Sequence, residues 1–376
     1  MIDPKSVFDG LTGEDIDYFV GVPDSLLKSI CGYFLDHAKP GNHVIAANEG
    51  GAVGLGIGYH LATKRIPLIY MQNSGLGNIV NPVLSLADAE VYGIPMVLLI
   101  GWRGEPGVRD EPQHQKQGRV TTGLLDAMEI PYSVLESGTK SVKLLVKEVA
   151  NSAARRHSPH AILVRRGSFS PYVSRCSGSS AYEVSRESAI RSLVQALGES
   201  DIVVATTGMA SRELFEYRTQ LQSECHDFLT VGGMGHASQV ALGVAAQRSD
   251  RRVICIDGDG AALMHLGSMA ICGSSKLSNF VHVILNNGAH DSVGGQATVG
   301  FQIDFVGIAQ ACNYKRAVRC DSLEGFRSNL DEFLNADGDG PVAIEMRIAK
   351  GSRDDLGRPT STPQDNRDEF MKFLEK

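Results

Sequence analysis

Short runs of β-branched and other apolar residues alternate with longer helical patterns along most of this chain. In the first half the runs are DYFVGV, HVIAAN, PLIYMQ, PMVLLIG and AILVRR, with helical patterns such as SLLKSICGYFLDHA and TKSVKLLVKEVANSAARRH between them. Strands that alternate with helices at this spacing form mostly parallel sheets that are covered by helices on both faces. The alternation therefore predicts an α/β fold.

The alternation stops once and then starts again. Residues 168–181, SFSPYVSRCSGSSA, are rich in Ser, contain Pro and Gly, and show no period, which is typical of a linker. A helical pattern, SRESAIRSLVQALG, follows, and then come the runs DIVVAT, FLTVGG, RVICID, FVHVILN and VAIEMR. We therefore predict two similar domains, 1–170 and 185–376, joined by a linker at 171–184, with an irregular C-terminal tail that ends in a helix.

Composition narrows the class of protein. With 376 residues, 43% of them hydrophobic, the chain is long enough for two buried cores. The net charge of −7 and the lack of a Lys/Arg block argue against nucleic acid or a membrane surface as partner. Seven scattered cysteines without a CxxC pair, no signal-peptide pattern and no apolar run of about 18 residues lead us to expect a cytoplasmic protein.

Polar residues and glycine follow nearly every predicted strand. In open parallel sheets, ligands bind beyond the carboxyl ends of the strands. The segments at these ends are VPDS, NEGG, QNSG and WRG in the first half, and TTG, GGMG, GDG and NNG in the second. This repetition predicts a ligand site at the same edge of each sheet.

The GDG and NNG segments follow neighbouring predicted strands. Asp259 lies between Gly258 and Gly260, and a predicted helix and strand fill the interval to Asn286-Asn287. A carboxylate and a carboxamide suit a hard divalent cation. Glycine lets the backbone approach a phosphate, to which the start of the next helix offers N–H groups. An aspartate that caps the helix beside an unrelated Asn-Asn-Gly turn is the alternative explanation.

This pair of segments resembles the signature of thiamine diphosphate-dependent enzymes. The resemblance implies that Asp259, Asn287 and the backbone oxygen of Ala289 bind Mg²⁺, which holds the diphosphate of the cofactor. It implies that Met234 is the apolar wedge that bends the cofactor, although methionine is also a common core residue. The further cofactor contacts that it implies are Thr206, Thr207, Gly208, Gly233, Gly258, Gly260 and Ala261.

The same resemblance assigns a role to Glu49 in the segment AANEGGAVGLGIGYHLA. In that family a glutamate after the second strand hydrogen-bonds the aminopyrimidine ring. A shared proton there favours the imino form of the ring, which removes the proton from the thiazolium carbon. Stabilisation of a helix N-terminus by a glutamate is the alternative explanation.

Residues 101–121, GWRGEPGVRDEPQHQKQGRVT, together with NNGAHDSVGGQATVG and GSRDDLGRPT, resemble a short branch of the family that lacks a middle domain. The resemblance implies decarboxylation of 3-phosphonopyruvate to phosphonoacetaldehyde and CO₂, through the ylid and enamine of the cofactor, in phosphonate biosynthesis. Alternatives are decarboxylation of sulfopyruvate or of a related 2-keto acid, a synthase that joins two keto acids, and a non-catalytic binding protein on the same fold.

A substrate with a carboxylate and a phosphonate requires nearby cations, and the arginine fork suits phosphonate oxygens. By resemblance, Asp24 and His114 are catalytic, with His114 handling a proton at a pKa near neutrality. The tail arginines, Arg353 and Arg358, lie in an irregular segment that could fold over the site as a lid. For the catalytic candidates and for the cations alike, a solvated loop of mixed charge is the alternative explanation. The candidate substrate contacts are Ser25, Arg109, Lys116, His290, Asp291, Arg353 and Arg358, and Asp257 receives no role.

The resemblance also implies an assembly. In the family the cofactor lies between the glutamate domain of one subunit and the metal domain of another. Glu49 and Asp259 would then meet only across a subunit interface. We therefore expect a homo-oligomer with its active site at that interface, acting on a small 2-keto acid.

Overall fold

The computed structural model describes residues 1–175, 180–222, 226–335 and 340–376. The chain divides into two compact units, Met1–Ser177 and Gly178–Lys376. Part of the predicted linker, residues 176–179, lies outside the described residues, as do Cys176 and Cys225. The other five cysteines form no disulfide, and all of them except Cys312 are buried.

The described residues of the first unit form six strands and six α-helices. Its strands are β1 Phe19–Gly21, β2 His43–Ile45, β3 Leu68–Gln72, β4 Val97–Gly101, β5 Tyr132–Leu135 and β6 His160–Val164. Its helices are α1 Pro4–Gly13, α2 Lys28–His37, α3 Glu49–Thr63, α4 Leu76–Pro82, α5 Pro112–Ala127 and α6 Val142–Arg156. A 3₁₀ turn, Asn73–Gly75, precedes α4, and a π-helical turn, Val83–Ala87, follows it.

The second unit repeats this arrangement. Its strands are β7 Ile202–Ala205, β8 Phe228–Leu229, β9 Val253–Gly258, β10 Phe280–Asn286, β11 Ala289–His290, β12 Gln296–Ala297, β13 Arg316–Cys320 and β14 Val342–Arg347. Its helices are α7 Arg186–Ala196, α8 Met209–Gln220, α9 Ala237–Gln247, α10 Asp259–Met264, α11 Gly267–Ser274, α12 Phe305–Ala311, α13 Leu323–Asn335 and α14 Pro363–Glu375.

The two main sheets have the same topology. The first runs β2-β1-β3-β4-β6-β5, and the second runs β8-β7-β9-β10-β14-β13. Every strand pair within these two sheets is parallel. A small antiparallel hairpin, β11-β12, stands beyond the end of β10. The predicted α/β fold with helices on both faces is therefore confirmed.

Apolar residues on both faces of each sheet explain the continuous hydrophobic runs. Tyr70 packs on the face covered by α1, α2 and α6, whereas Ile69 and Met71 pack on the face covered by α3 and α4. Side chains alternate along a strand, so two buried faces require an apolar residue at nearly every position. Ile256 and Cys255 divide in the same way between the two faces of the second sheet.

Four strands were missing from the prediction: β5, β13 and the two short strands of the hairpin β11-β12. β5 and β13 each lie at one edge of their sheet. Their segments, YSVL and RAVRC, are only partly buried and carry polar residues, so neither shows a continuous apolar run. No helix within the described ranges is long and apolar enough to cross a membrane.

Candidate active site

Strands β9 and β10 bring the GDG and NNG segments together. Leu285 of β10 pairs with Gly258 of β9, so Asp259 and Asn286-Asn287 leave the sheet side by side. Asp259 is 1% exposed, and its carboxyl group accepts hydrogen bonds from the Thr298 hydroxyl and from the backbone of Asn287. The adjacency that the strand order predicted is therefore present.

The environment of Asp259 suits a cation. Burial raises the pKa of its carboxyl group to about 6, although the hydrogen bonds from Thr298 and the backbone oppose the shift. Within the described ranges no Lys or Arg side chain forms an ion pair with it. A buried carboxylate without a cationic side chain favours the approach of a metal ion, which supplies the missing positive charge.

The two asparagines after β10 have different partners. Asn286 is fully buried, donates to the carbonyl of Gly300 and to Glu345 Oε1, both at 2.8 Å, and accepts from the backbone of Gly288. Asn287 donates from Nδ2 to Asp291 Oδ2 at 2.6 Å. Its Oδ1 accepts from the backbone N–H of Ala289 at 3.0 Å, which leaves a second lone pair on that oxygen. Asn286 therefore holds the loop, and Asn287 is the one suited to bind a metal.

The hairpin β11-β12 returns the chain to Asp259. It places Thr298, whose hydroxyl donates to Asp259 Oδ2, and Gly300 against the carboxylate. A Cβ at Gly300 would lie 2.6 Å from Asp259 Oδ2, so only glycine fits there without displacement. Sequence reasoning missed both residues, although they lie in the segment GGQATVG that it had singled out.

The turn at Gly233, Met234 and Gly235 packs on the start of α10. Gly233 and Gly235 have φ values of +65° and +84°, a region that glycine adopts readily. A Cβ at Gly260 would lie 3.2 Å from Met234 Cε and 3.0 Å from the His290 ring. The structure thus brings Met234, Gly260 and His290 together, and burial lowers the pKa of His290 to about 4.

The loop after β7 contains the other predicted cofactor contacts of this unit. Thr206 is buried, whereas Thr207 and Gly208 are partly exposed. Gly208 has a φ of +97° and is the N-cap of α8, and a Cβ there would lie 3.8 Å from the side chain of Ser292. This loop therefore faces the segment that follows the proposed metal ligands. Ala261, in α10, is 4% exposed.

Asp257 belongs to a cluster inside the second unit. Its Oδ2 lies 3.1 Å from His282 Nε2, and the other ring nitrogen of His282 lies 3.1 Å from the Tyr314 hydroxyl. Cys255, on the same face of β9, contacts the same carboxylate oxygen at 3.8 Å. Asp257 therefore joins β9 to β10 within the sheet and does not lie in the loop that carries Asp259.

In the first unit, Glu49 is the first residue of α3. Asn48 caps this helix, with its side chain accepting from the backbone of Gly51 at 2.8 Å. The Glu49 carboxyl is 5% exposed, and its Oε2 accepts from Asn78 Nδ2 at 2.7 Å. A Cβ at Gly75 would lie 2.6 Å from Glu49 Oε1. Gly75 belongs to the strand-end segment QNSG that the sequence singled out, although it received no role of its own, whereas Asn78, three residues further on, was not predicted.

Asp24 lies beneath the loops of the same unit. It is fully buried, and its oxygens accept from Gln72 Nε2 at 2.6 Å and from the backbone of Leu26 at 2.9 Å. Burial raises the pKa of its carboxyl group. These contacts join the ends of β1 and β3, and the catalytic role of Asp24 stays a prediction.

Arg103 is held by Asp110 of its own loop and by Ser25, which follows β1. It donates to both oxygens of Asp110, at 2.8 and 2.6 Å, and to Ser25 Oγ at 2.8 Å. Burial opposes ionisation of Asp110, but the Arg103 guanidinium and two backbone N–H groups hold the pKa of this carboxyl well below its usual range. Ser25, a predicted substrate contact, is therefore a partner of Arg103.

His114 lies in the first turn of α5. Burial lowers the pKa of the His114 ring to about 4, and the nearby Arg103 guanidinium adds to this effect. The ring is therefore neutral at physiological pH. This differs from the near-neutral pKa that the sequence led us to expect. Its Nδ1 is buried and has no hydrogen-bond partner in the described structure. Arg109 and Lys116 flank it in sequence, and both are exposed.

The tail packs on the second unit through Arg353 and through backbone groups. Arg353 forms ion pairs with Glu187, Glu216 and Asp355. The backbone N–H of Gly351 donates to Asp291 Oδ2 at 2.9 Å, which joins the start of the tail to the proposed metal loop. Arg358 is exposed, and the roles of both arginines toward substrate stay predictions.

Comparison with known protein families agrees with this geometry. Residues 5–130 match the model described as "Thiamine pyrophosphate enzyme, N-terminal TPP binding domain". Residues 206–346 match "Thiamine pyrophosphate enzyme, C-terminal TPP binding domain". The fold, the two polar sheet edges and these matches together define the class as the thiamine pyrophosphate (thiamine diphosphate) enzymes.

Similarity to individual proteins places the chain in one family within this class. The chain is 35% identical to a phosphonopyruvate decarboxylase of Streptomyces viridochromogenes, covering 100% of this chain and 95% of that protein. It is 34% identical to one of Streptomyces hygroscopicus, with 99% and 94% covered. A sulfopyruvate decarboxylase of Methanosarcina acetivorans is 28% identical, with 76% of each chain covered. The chain therefore belongs to the phosphonopyruvate decarboxylase family of thiamine diphosphate-dependent decarboxylases.

Proposed function

We propose that this protein decarboxylates 3-phosphonopyruvate to phosphonoacetaldehyde and CO₂, as a cytoplasmic step in phosphonate biosynthesis. The observation that carries the proposal is the similarity to two phosphonopyruvate decarboxylases over essentially the whole chain. The buried carboxyl groups of Glu49 and Asp259, each at the polar edge of its own sheet, support it independently.

Thiamine diphosphate, when bound, supplies the electron sink that accepts the electron pair left by CO₂. The residues of the second unit that fit its diphosphate and Mg²⁺ are Asp259, Asn287 and the backbone oxygen of Ala289. Asp259 fits because it is a buried carboxylate that no cationic side chain in the described structure pairs with. Gly260 fits because a Cβ there would lie only 3.0 Å from the His290 ring and 3.2 Å from Met234 Cε, so a larger residue would crowd the start of α10.

Glu49 is proposed to hold a proton at the aminopyrimidine ring. Its Oε2 accepts from Asn78, and Gly75 packs closely against the carboxyl group. These contacts restrict the side chain, and a group that transfers a proton must be held within hydrogen-bond distance of its partner. Asn78 therefore orients Glu49 in this proposal.

The phosphonate requires cations that are not already paired. Arg103 is paired with Asp110, and Arg353 with three carboxylates. Arg109 and Lys116 are exposed and form no ion pair within the described ranges. We therefore prefer these two as the cations that meet the phosphonate, since opposite charge and hydrogen bonding favour them there.

Sulfopyruvate is the second candidate substrate. The similarity to a sulfopyruvate decarboxylase favours it, although the identity and the coverage are lower. The deciding experiment measures CO₂ release from each keto acid, with and without thiamine diphosphate and Mg²⁺. A larger kcat/KM for phosphonopyruvate supports the proposal, and a larger value for sulfopyruvate contradicts it.

The homo-oligomer with its active site at a subunit interface is also a proposal. Co-expression of Glu49→Gln and Asp259→Ala chains tests it, because a mixed dimer would contain one site with neither substitution. Since subunits of a symmetric dimer pair at random, about one quarter of wild-type activity should return. Activity no greater than that of either variant alone would place Glu49 and Asp259 of a site on one chain.

A further inference from the structure

A buried arginine lies behind the proposed metal loop. Arg186, at the start of α7, is 8% exposed in its side chain. It donates to both oxygens of Glu213, at 2.9 and 3.2 Å, and to the carbonyl of Gly351 at 3.2 Å. Its remaining group, Nη1, donates to Asp291 Oδ2 at 3.1 Å. Neither the fold nor the proposed chemistry assigns a role to this arrangement.

One oxygen of Asp291 accepts three hydrogen bonds. Oδ2 receives Nη1 of Arg186, the backbone N–H of Gly351 at 2.9 Å, and Nδ2 of Asn287 at 2.6 Å. The Asp291 side chain is only 11% exposed, so water competes little for these positions. These hydrogen bonds fix the orientation of the Asp291 carboxylate, and the carboxylate in turn fixes the orientation of the Asn287 side chain.

The contact with Asp291 decides which way the Asn287 carboxamide faces. An ionised carboxylate only accepts hydrogen bonds, so the amide nitrogen must face it and the amide oxygen must face away. The backbone N–H of Ala289 requires the same orientation, because it donates to Oδ1 at 3.0 Å. Only the oxygen of a carboxamide binds Mg²⁺. A reversed amide would present hydrogen atoms to the cation.

We propose that Arg186 and Asp291 are positioning residues that hold the Asn287 carboxamide with its oxygen toward the metal ion. The inference rests on the proposed function, since it concerns the same metal site. Glu213 and Gly351 keep Arg186 in place, so the start of the C-terminal tail supports the metal loop. Asp291, a predicted substrate contact, acts through Asn287 in this account.

The test measures binding of thiamine diphosphate to the full chain by calorimetry across a range of Mg²⁺ concentrations. Asp291→Asn keeps the size of the side chain but can also donate, so it no longer requires one amide orientation. Loss of such a partner behind a metal ligand costs about 10- to 100-fold in metal affinity. We expect the Mg²⁺ half-saturation concentration to rise in this range, and saturating Mg²⁺ to restore kcat.

The matched control is Asp227→Asn. Asp227 forms a comparable pair in the same unit, accepting from Arg218 at 2.9 and 3.0 Å, and is also nearly buried. The Asp227→Asn variant should lose a similar amount of stability to Asp291→Asn, but its Mg²⁺ half-saturation concentration should not change. If Asp291→Asn does not fold, Arg186→Lys replaces it, because lysine keeps the charge but lacks the fork that binds Glu213 and Asp291 together.

The outcomes separate the two proposals. An unchanged Mg²⁺ half-saturation in a folded Asp291→Asn or Arg186→Lys variant overturns the positioning role. A raised KM for the keto acid with unchanged Mg²⁺ half-saturation also overturns it and makes Asp291 a substrate contact. Failure of the wild-type chain to bind thiamine diphosphate with Mg²⁺ counts instead against the proposed function.

Discussion

Replacement of Gly300 by alanine should disable the proposed metal site through a single methyl group. The added Cβ would lie 2.6 Å from Asp259 Oδ2 and 2.7 Å from Asn286 Oδ1. Ordinary contact begins at 3.4 Å, so the carboxylate oxygen would have to move by 0.8 Å. Asp259 has little room to move, because it is 1% exposed and held by Thr298 and by the backbone of Asn287.

The expected cost has two components. Overpacking of a buried site costs about 1 to 3 kcal/mol in the free energy of unfolding. A metal ligand displaced by most of an ångström should also lose metal affinity, by about 10- to 100-fold if it resembles other disturbed metal ligands. Gly300→Ala should therefore stay folded with lower stability, and should bind thiamine diphosphate only at much higher Mg²⁺ concentrations.

A second glycine offers a matched control. A Cβ at Gly307 would lie 2.7 Å from Asp304 Oδ2, nearly the same distance from a carboxylate oxygen. The Asp304 side chain is 65% exposed and can rotate into solvent. Gly307 also lies within α12, where alanine is favoured over glycine by about 1 kcal/mol. Gly307→Ala should therefore leave cofactor binding unchanged and stability equal or higher.

Calorimetry with thiamine diphosphate at several Mg²⁺ concentrations measures the affinity, and denaturant unfolding measures the stability of both variants. A folded Gly300→Ala variant that binds the cofactor with the wild-type dependence on Mg²⁺ would refute this prediction. Equal losses in Gly300→Ala and Gly307→Ala would also refute it, since burial of the carboxylate is what distinguishes the two positions.

Three further predictions concern the first unit. Glu49→Gln should lower kcat by about 10²- to 10⁴-fold while the calorimetric affinity for thiamine diphosphate changes little, because the amide cannot exchange the proton; intact decarboxylation would show that Glu49 has another role. His114→Asn should flatten the dependence of the unfolding midpoint on pH. The pKa of His114 is lowered from 6.5 to about 4 in the folded state, so between these pH values the unfolded chain binds the proton and the folded chain does not. The free energy of unfolding of the wild-type protein should therefore fall as pH decreases from 6.5 to about 4. The same pH dependence of the unfolding midpoint in the wild type and in His114→Asn would contradict this. The double variant Arg109→Gln/Lys116→Gln should raise KM for phosphonopyruvate and make KM less dependent on ionic strength. Arg119→Gln, in the same helix as Lys116, serves as the control, and an unchanged KM in the double variant would exclude Arg109 and Lys116 as the phosphonate contacts.

The sequence predicted the central strands and the edge strands β2 and β8, and it missed β5 and β13 for a physical reason. β9 and β10 are buried on both faces, so their apolar runs are continuous. β5 and β13 are only partly buried and carry polar residues, so YSVL and RAVRC contain no continuous apolar run, whereas the edge strands β2 and β8 lie in the recognisable runs HVIAAN and FLTVGG. The two-residue strands of the hairpin β11-β12 are too short for any period.

The candidate site divides in a similar way. The neighbourhood of Asp259 and Asn287 was predictable, because parallel strands deliver their carboxyl ends to one edge of a sheet. The separation of Asp257 from that edge was not, since its partner His282 became known only from the register of β9 and β10. The lowered pKa of His114 likewise depends on burial, which the residue's position in sequence does not reveal.

By itself the sequence determined the α/β class, the two-domain pattern and the resemblance to thiamine diphosphate enzymes, because strand period and strand-end residues are local properties. Only the tertiary structure decided which charged groups are already paired. Arg186 and Asp291 are 105 residues apart in the chain, and Arg353 and Glu187 are 166 apart. Pairing of this kind depends on distance in space and not on separation in the sequence. Only the folded structure therefore shows which charged residues remain available for metal and substrate.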